Sequence, residues 1–171
     1  LTFPLAYLFA RSMLLSTHGA IEAGLVAAAY GIGVSIRLVL NQANGLYLTP
    51  LVNRNTPKGE RIAAVAEYLR ILIVLVVLST LVCVLFPAQW IALLYSSKFG
   101  GAVSLVAVLV LAEAVLLVAG VFQALLIGFD DISGFLVCTV AGQLLTIALT
   151  RWLVASVGGM GVGIAFLAGN G

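Results

Sequence analysis

The dominant pattern along the chain is a series of long apolar runs separated by short polar segments. A helix needs about 20 mostly apolar residues to cross the hydrocarbon core of a bilayer. Apolar runs cover residues 2–17, 21–52, 71–95, 102–128 and 132–157, of which all but the first are at least that long, and a further run begins at residue 164. The pattern therefore predicts an all-α, polytopic transmembrane bundle of about five to six spans, with residues 1–171 as a single transmembrane domain.

Two of these segments are irregular. The run over residues 21–52 is too long for one perpendicular span, so a tilt or kink is expected, with Gly31, Gly33 and Pro50 as natural bend points. Residues 53–70 are the most polar stretch, in which Thr56-Pro57 is typical of a helix start. Because the apolar residues that follow fall on one face, we predict a cytoplasmic amphipathic connection at the membrane interface.

Composition supports the membrane assignment. Hydrophobic residues make up 63% of the chain and charged residues 8%, whereas soluble globular chains carry about 25% charged residues. A net charge of +2 and a basic cluster interrupted by two acids do not indicate nucleic-acid binding. Cys83 and Cys138 lie inside apolar runs and are interpreted as small buried hydrophobes. We expect no metal and no cofactor.

Orientation follows from the distribution of basic residues in the loops. The segment after the second run holds Arg54, Lys58, Arg61 and Arg70, which places it in the cytoplasm by the positive-inside rule. The turns at residues 18–22 and 96–101 then face outward. The Asp130-Asp131 turn must also be cytoplasmic although it contains no Lys or Arg. It is interpreted as an acidic turn with Asp131 near a helix start rather than as a metal site.

Polar side chains form stripes within the apolar runs. Tyr30, Arg37, Asn41 and Asn44 are separated by seven, four and three positions, so on a helix they lie within about 60° of one another. Ionisable residues inside a membrane are costly and indicate a functional site by default. Similar alignments occur in the first run at Tyr7, Arg11 and His18, and in the fifth at Thr139, Gln143, Thr146 and Thr150.

These stripes predict a hydrated central cavity whose lining supplies the substrate-binding residues, namely Arg11, Arg37, Asn41, Asn44, Glu113 and Gln143. Two arginines suit an anionic ligand such as a phosphate, and Glu113 fits a proton carrier or the counter-ion of an arginine. The alternative interpretation is purely structural: interhelical hydrogen bonds and one buried ion pair hold the bundle together. Small residues at four-residue spacing, as at Ala27, Gly31 and Ser35, predict close helix packing or a sliding contact.

Several segments resemble a known family. They are Glu22-Ala-Gly-Leu-Val-Ala-Ala-Ala-Tyr30, Tyr47-Leu-Thr-Pro-Leu-Val-Asn-Arg54, Trp90-Ile-Ala-Leu-Leu-Tyr-Ser-Ser-Lys-Phe99 and Gly158-Gly-Met-Gly-Val-Gly-Ile-Ala165. In order and spacing they resemble the polysaccharide flippases of the multidrug/oligosaccharidyl-lipid/polysaccharide exporter superfamily. Leu25 stands where that family often has Tyr or Trp, and Leu51-Val52 stands where Leu-Ser is usual.

The resemblance implies a two-lobed alternating-access transporter in a bacterial or archaeal cytoplasmic membrane. Its substrate would be an oligosaccharide linked to undecaprenyl pyrophosphate, and H⁺ or Na⁺ coupling is possible in that family. Arg11 and Arg37 would then be candidates to meet the pyrophosphate or an acidic sugar. The chain would correspond to the start of the second half of such a protein, and we expect it to be a fragment of a longer one.

Other functions are compatible with the same features. A multidrug/cation antiporter of the same superfamily would favour acids over arginines in the cavity. A membrane-embedded sugar polymerase or ligase would usually carry a large outward loop, whereas every outward loop here is short. The sequence also lacks Ser/His/Asp, HExxH and phosphate-loop motifs, so an enzyme is not expected. A structural bundle without transport would have a dry interior.

Overall fold

The computed structural model describes residues 3–52 and 57–170. In these two ranges all regular secondary structure is helical, which confirms the predicted all-α class. A π-helical turn, Asn44–Leu48, joins the second helix to the third, and a 3₁₀ segment, Ser97–Ala102, precedes the sixth. The α-helices are α1 Phe3–Thr17, α2 Gly19–Ala43, α3 Thr49–Val52, α4 Lys58–Leu85, α5 Pro87–Leu94, α6 Val103–Gly128, α7 Ile132–Val157 and α8 Gly159–Asn170.

Four helical stretches of the described chain are long and apolar enough to cross a membrane: Gly19–Leu51, Lys58–Leu85, Lys98–Gly128 and Ile132–Val157. Helices α1 and α8 are also apolar, but their described lengths are 15 and 12 residues, below the roughly 20 residues that a perpendicular span needs. The described residues therefore form a membrane-type helical bundle with four full-length candidate spans, and the predicted number of five to six is not confirmed.

The third span differs from its prediction at both ends. Helix α4 runs without a break from Lys58 to Leu85, so the amphipathic turns after Pro57 belong to the same helix as the apolar span. The carbonyl of Pro57 accepts the first hydrogen bonds, from the amides of Glu60 and Arg61 at 3.1 and 3.2 Å; the predicted cap Thr56 lies outside the described residues. The helix ends before Pro87, not at residue 95, and Pro87 opens α5, since proline fits the first helical turn.

The long second stretch is distorted at one of its predicted bend points. Gly31 and Gly33 lie within the regular part of α2. The irregular turn is Asn44–Leu48, where the amide of Thr49 bonds to the carbonyl of Asn44 in the wider π pattern. Pro50 has no N–H and its ring crowds the carbonyl one turn earlier. We attribute the widened turn to Pro50, because a π turn accommodates the ring without breaking the helix.

Helix α6 is the centre of the bundle. It packs against α2 and α8 on one side and against α4 on another. Its residues Val106, Leu109 and Val110 belong to a core shared with α1, α2 and α8. Further along, Leu117 and Val121 form a second core with Leu72 and Val76 of α4. Apolar side chains on all sides of α6 explain why this helix has the largest buried share of the four spans, 44%.

The outer faces of α4 and α7 remain uncovered. Large apolar side chains such as Val77, Leu144 and Trp152 are 55%, 63% and 70% exposed. Soluble monomers rarely expose contiguous apolar faces of this kind. Lipid contact accounts for these faces, in agreement with the membrane assignment.

Helices α7 and α8 form a tight hairpin that depends on glycine. Gly158, with φ of 60°, turns the chain directly from one helix into the next. A Cβ at Gly161 would lie 2.6 Å from the backbone carbonyl atoms of Leu153, and one at Gly142 would lie 2.8 Å from the carbonyl oxygen of Gly169. The two backbones therefore approach as closely as small residues permit.

The turns of the bundle gather at two ends. His18, Gly101 and Val157 line one shared hollow, which brings together the α1–α2 turn, the 3₁₀ segment and the α7–α8 turn. At the other end Arg61 of α4 donates from Nη1 to the carbonyl of Gly128 at 3.0 Å. The Lys58 ammonium lies 5.0 Å, and the Arg61 guanidinium 5.1 Å, from the centre of the Phe129 ring.

This arrangement accounts for the acidic turn that contains no basic residue of its own. Lys58 and Arg61 reach the α6–α7 turn from α4, so the Asp130-Asp131 segment has cations beside it although they are distant in sequence. Asp131 accepts a hydrogen bond from the amide of Gly134 at 2.9 Å and caps α7, as predicted. The orientation with residues 57–61 and 128–131 in the cytoplasm remains a prediction.

We expect Gly161→Ala to destabilise the bundle by about 1–3 kcal/mol, because its methyl group would press on the backbone of Leu153 and must separate the hairpin. Thermal unfolding in detergent measures the loss. Gly120→Ala is the matched control: a Cβ there meets nothing within 4 Å, and alanine favours a helix by up to about 1 kcal/mol. Equal effects of the two substitutions would contradict the close packing.

The orientation is tested with single cysteines in a Cys83→Ala/Cys138→Ala background. Lys58 and Lys98 are exposed at opposite ends of the bundle. We expect a membrane-impermeant maleimide to label Lys98→Cys in intact cells and Lys58→Cys only after permeabilisation. The reverse pattern would invert the topology.

Candidate functional site

The contact between α2 and α6 is built on a glycine. A Cβ at Gly33 would lie 2.9 Å from Cγ of Glu113 and 3.3 Å from the carbonyl oxygen of Leu109. Only a residue without a side chain allows α6 to approach this closely. Gly33 therefore creates the space in which the Glu113 side chain lies against α2.

The charged pair of the site lies across this contact. Nε of Arg37, one turn after Gly33, donates to Oε2 of Glu113. The Glu113 side chain is 2% exposed and that of Arg37 is 18% exposed, and both residues lie near the middle of their spans. Of the two roles predicted for Glu113, the structure thus shows the counter-ion of an arginine.

The second carboxylate oxygen of Glu113 has a different environment. Among residues 3–52 and 57–170, Oε1 is buried and has no hydrogen-bond partner. Glu113 lines a small crevice between α2, α4 and α6 whose walls include the hydroxyl-bearing Ser79 and Thr80. About 10 Å³ of this crevice is open to a water-sized molecule, which is room for roughly one water. The pair therefore lies in a nearly dry site with room for roughly one water beside it.

An aromatic column stands beside the pair. The rings of Tyr7 in α1 and Tyr30 in α2 are stacked, with centroids 4.2 Å apart, and Phe166 in α8 meets Tyr30 edge-on at 6.1 Å. Tyr30 also interacts electrostatically with both Arg37 and Glu113. The column fixes one side of the charged pair and links it to α1 and α8.

The amide residues of the predicted stripe form a separate cluster nearer to the α3 end of the helix. Asn44 donates from Nδ2 to Oδ1 of Asn41 at 3.0 Å, and the hydroxyl of Tyr68 donates to Oδ1 of Asn44. The cluster lies where the π turn begins and connects α2 to α4. Tyr68 was not singled out by sequence reasoning, because it lies in the segment interpreted as amphipathic and no helical spacing relates it to Asn44.

The six predicted site residues are thus distributed over several places. Arg37 and Glu113 line the crevice, and Asn41 and Asn44 form the amide cluster. Arg11 is exposed on α1, and Gln143 is half-buried on α7. The crevice between α2, α4 and α6 is bordered by only two of the six, so the structure does not gather all of them around this one space.

In the threonine stripe of the fifth run, Thr146 faces α8. Thr146 and Thr150 are fully buried, and the hydroxyl of Thr146 donates to the carbonyl of Gly142 at 2.8 Å within its own helix. A Cβ at Gly169 of α8 would collide with Thr146. Thr146 therefore packs the hairpin, in agreement with the structural interpretation of this stripe.

A second polar feature lies at the opposite end from the acidic turn. Oε1 of Glu22 accepts a hydrogen bond from the amide of Gly159 at 2.6 Å, so α2 caps α8 across the bundle. Glu22, His18 and Ser104 line an open hollow of about 450 Å³ with otherwise mostly apolar walls. Sequence reasoning did not identify this cap, because only the fold brings residues 22 and 159 together.

Comparison with known proteins does not identify a family. No protein-family model, no curated protein and no solved structure matches the chain. The interpretation of the site therefore rests on its residues and geometry.

We expect removal of either charged side chain of the pair to lower the stability of the bundle strongly, because the remaining charge would be buried without a partner. Arg37→Met or Glu113→Leu should each cost about 3–5 kcal/mol, and the double variant should cost less than either. Unfolding in detergent, analysed as a double-mutant cycle, measures this. Glu67→Leu, at an exposed carboxylate of α4, is the control and should change stability by less than about 0.5 kcal/mol. Additive losses at Arg37 and Glu113 would contradict the coupling.

Proposed function

We propose that the chain is part of a membrane transporter that moves lipid-linked oligosaccharides from the cytoplasmic to the outer leaflet. The observation that carries the proposal is the buried Arg37–Glu113 pair at the middle of two membrane-length helices. A charged side chain at this depth costs about 2.5–3.5 kcal/mol on insertion scales. A bundle that needed only cohesion would be held as well by apolar packing, so the pair favours a role in transport.

The arginine suits the substrate class. A guanidinium carries a permanent charge and several donors that match the oxygens of a phosphate. The resemblance of the flanking segments to polysaccharide flippases points to the pyrophosphate that links an oligosaccharide to undecaprenol. Arg37 is the proposed contact for this group, and Arg11 is a second candidate.

The amide cluster supports entry from the cytoplasmic side. Asn44, Asn41 and Arg37 follow one another along one face of the same helix, and at 1.5 Å per residue the stripe covers about 10 Å. Asn41 is exposed and Asn44 half-buried, so both offer amide groups before the buried pair is reached. A pyrophosphate that enters along this stripe exchanges one set of polar partners for the next.

Alternating access is proposed as the mechanism. The close contact of α2 with α6 at Gly33 closes the space between them, and the crevice beside α4 is the remaining opening. Separation of these helices would expose Arg37. In a two-lobed transporter the second lobe would supply the opposite wall of the substrate path.

A second candidate is a cation antiporter of the same superfamily. The observation that favours it is the buried oxygen Oε1 of Glu113, which has no partner within the described chain. A transported cation would require this carboxylate to be free of Arg37, whereas the substrate of a flippase would require Arg37 to be free of Glu113.

The deciding experiment is deletion of the gene in its host, followed by complementation. We expect lipid-linked glycan to accumulate on the cytoplasmic side of the membrane, and the full-length protein to relieve the accumulation. Arg37→Ala, at confirmed membrane levels, should lower export at least tenfold, and Arg37→Lys should retain part of it because the charge remains.

Arg151→Ala is the matched control, because Arg151 is an exposed arginine of α7 remote from the pair in the fold. It should export normally. Normal export by Arg37→Ala would remove Arg37 from the mechanism. Absence of any glycan accumulation after deletion would favour the antiporter.

A further inference from the structure

We propose that Arg37 and Glu113 form an exchange pair, in which a phosphate-type anion that binds Arg37 replaces Glu113, and the displaced carboxylate takes up one proton. This inference rests on the proposed function, whose anionic substrate it couples to proton movement. It names Glu113 as the proton-binding residue and Arg37 as the anion-binding residue.

The first support is geometric. The guanidinium of Arg37 already bonds to Glu113 through Nε, and Glu113 is 2% exposed. An anion therefore cannot take this part of Arg37 without displacing the carboxylate. The backbone of α2 at Gly33 lies directly against the Glu113 side chain, so the displaced group remains in a nearly dry space.

The second support is the charge balance. Before binding, one positive and one negative charge cancel. With one negatively charged phosphoryl group of the anion on Arg37, one positive and two negative charges would share a low-dielectric site, and a buried charge without a partner is costly. Transfer of one proton from water to Glu113 forms an O–H bond, makes the carboxyl neutral and restores the original balance.

The third support is the surroundings of Glu113. On α2 its partner is Arg37, and Tyr30 is close enough to interact electrostatically with both members of the pair. On α4 the crevice wall offers the hydroxyls of Ser79 and Thr80, and the buried thiol of Cys83 lies one turn further. Helix α8 contains no titratable side chain between Gly159 and Asn170. Arg37 is thus the charged partner on these facing elements, and Glu113 lines a crevice with room for roughly one water, which can deliver the proton.

The test is equilibrium binding of two probes, geranyl pyrophosphate and inorganic pyrophosphate, to the full-length protein in nanodiscs between pH 5.5 and 8.5. Both probes carry the phosphate chemistry; tighter binding of the first indicates a lipid headgroup and equal binding indicates a free phosphate. Because the probes themselves titrate, wild type is compared at each pH with Glu113→Gln, which keeps an acceptor for Arg37 without a charge.

We expect the wild-type affinity to fall, relative to Glu113→Gln, by about tenfold for each pH unit on the alkaline side, since one proton is bound with each ligand. Glu67→Gln should follow wild type. As a second measurement that needs no variant, calorimetric titrations in buffers of different ionisation enthalpy should show one additional proton taken up per probe, beyond that expected from the probe itself.

The same pH dependence in wild type and Glu113→Gln, the absence of additional proton uptake, or the absence of probe binding to wild type would each overturn the exchange. These failures are distinct from failure of the proposed function. Export that requires Arg37, together with probe binding that takes up no proton, would leave the transport proposal standing and remove only the role of Glu113.

Discussion

The structure depends on the close contact of α2 with α6, because that contact determines how two charges are held inside the bundle. Without a side chain at Gly33, α6 approaches near enough for Glu113 to be enclosed against α2 and to meet Arg37. Neither charge is tolerable at this depth alone. The packing and the ion pair therefore depend on each other, and the aromatic column from Tyr7 to Phe166 supports them from α1 and α8.

The remaining contacts show how a bundle without much polar surface is held together. Between α7 and α8, small residues allow the backbones to approach closely. In lipid the hydrophobic effect does not drive helices together, so close packing must stabilise their association. At the helix ends, charged side chains from other helices satisfy backbone groups: Glu22 accepts from the amide of Gly159, and Arg61 donates to the carbonyl of Gly128. Each compensates the partial charge of a helix terminus.

The proposed function uses the same features. Polar groups of α2 follow one another along one face: the half-buried amide of Asn44, the exposed amide of Asn41 and then Arg37 with its buried partner Glu113. A structural role and a role in transport differ in whether Arg37 and Glu113 must separate from each other. Glu113 lines a crevice with room for roughly one water. Its second oxygen is buried without a hydrogen-bond partner among the described residues, which a purely cohesive pair would not require.

The sequence by itself determined the helical, membrane-type class, since the length of apolar runs and the scarcity of charge are local properties of the chain. It also identified Arg37 and Glu113 as residues that cannot face lipid, and Asp131 as a helix cap. Only the tertiary structure decided which arginine pairs with Glu113 and that Asn44 bonds to Tyr68. It also decided that α4 continues through Arg70 and that Lys58 and Arg61 lie beside the α6–α7 turn. Helical spacing specifies the face of a residue on its own helix, whereas these pairings depend on how close two helices come, and that distance is determined by small residues on both.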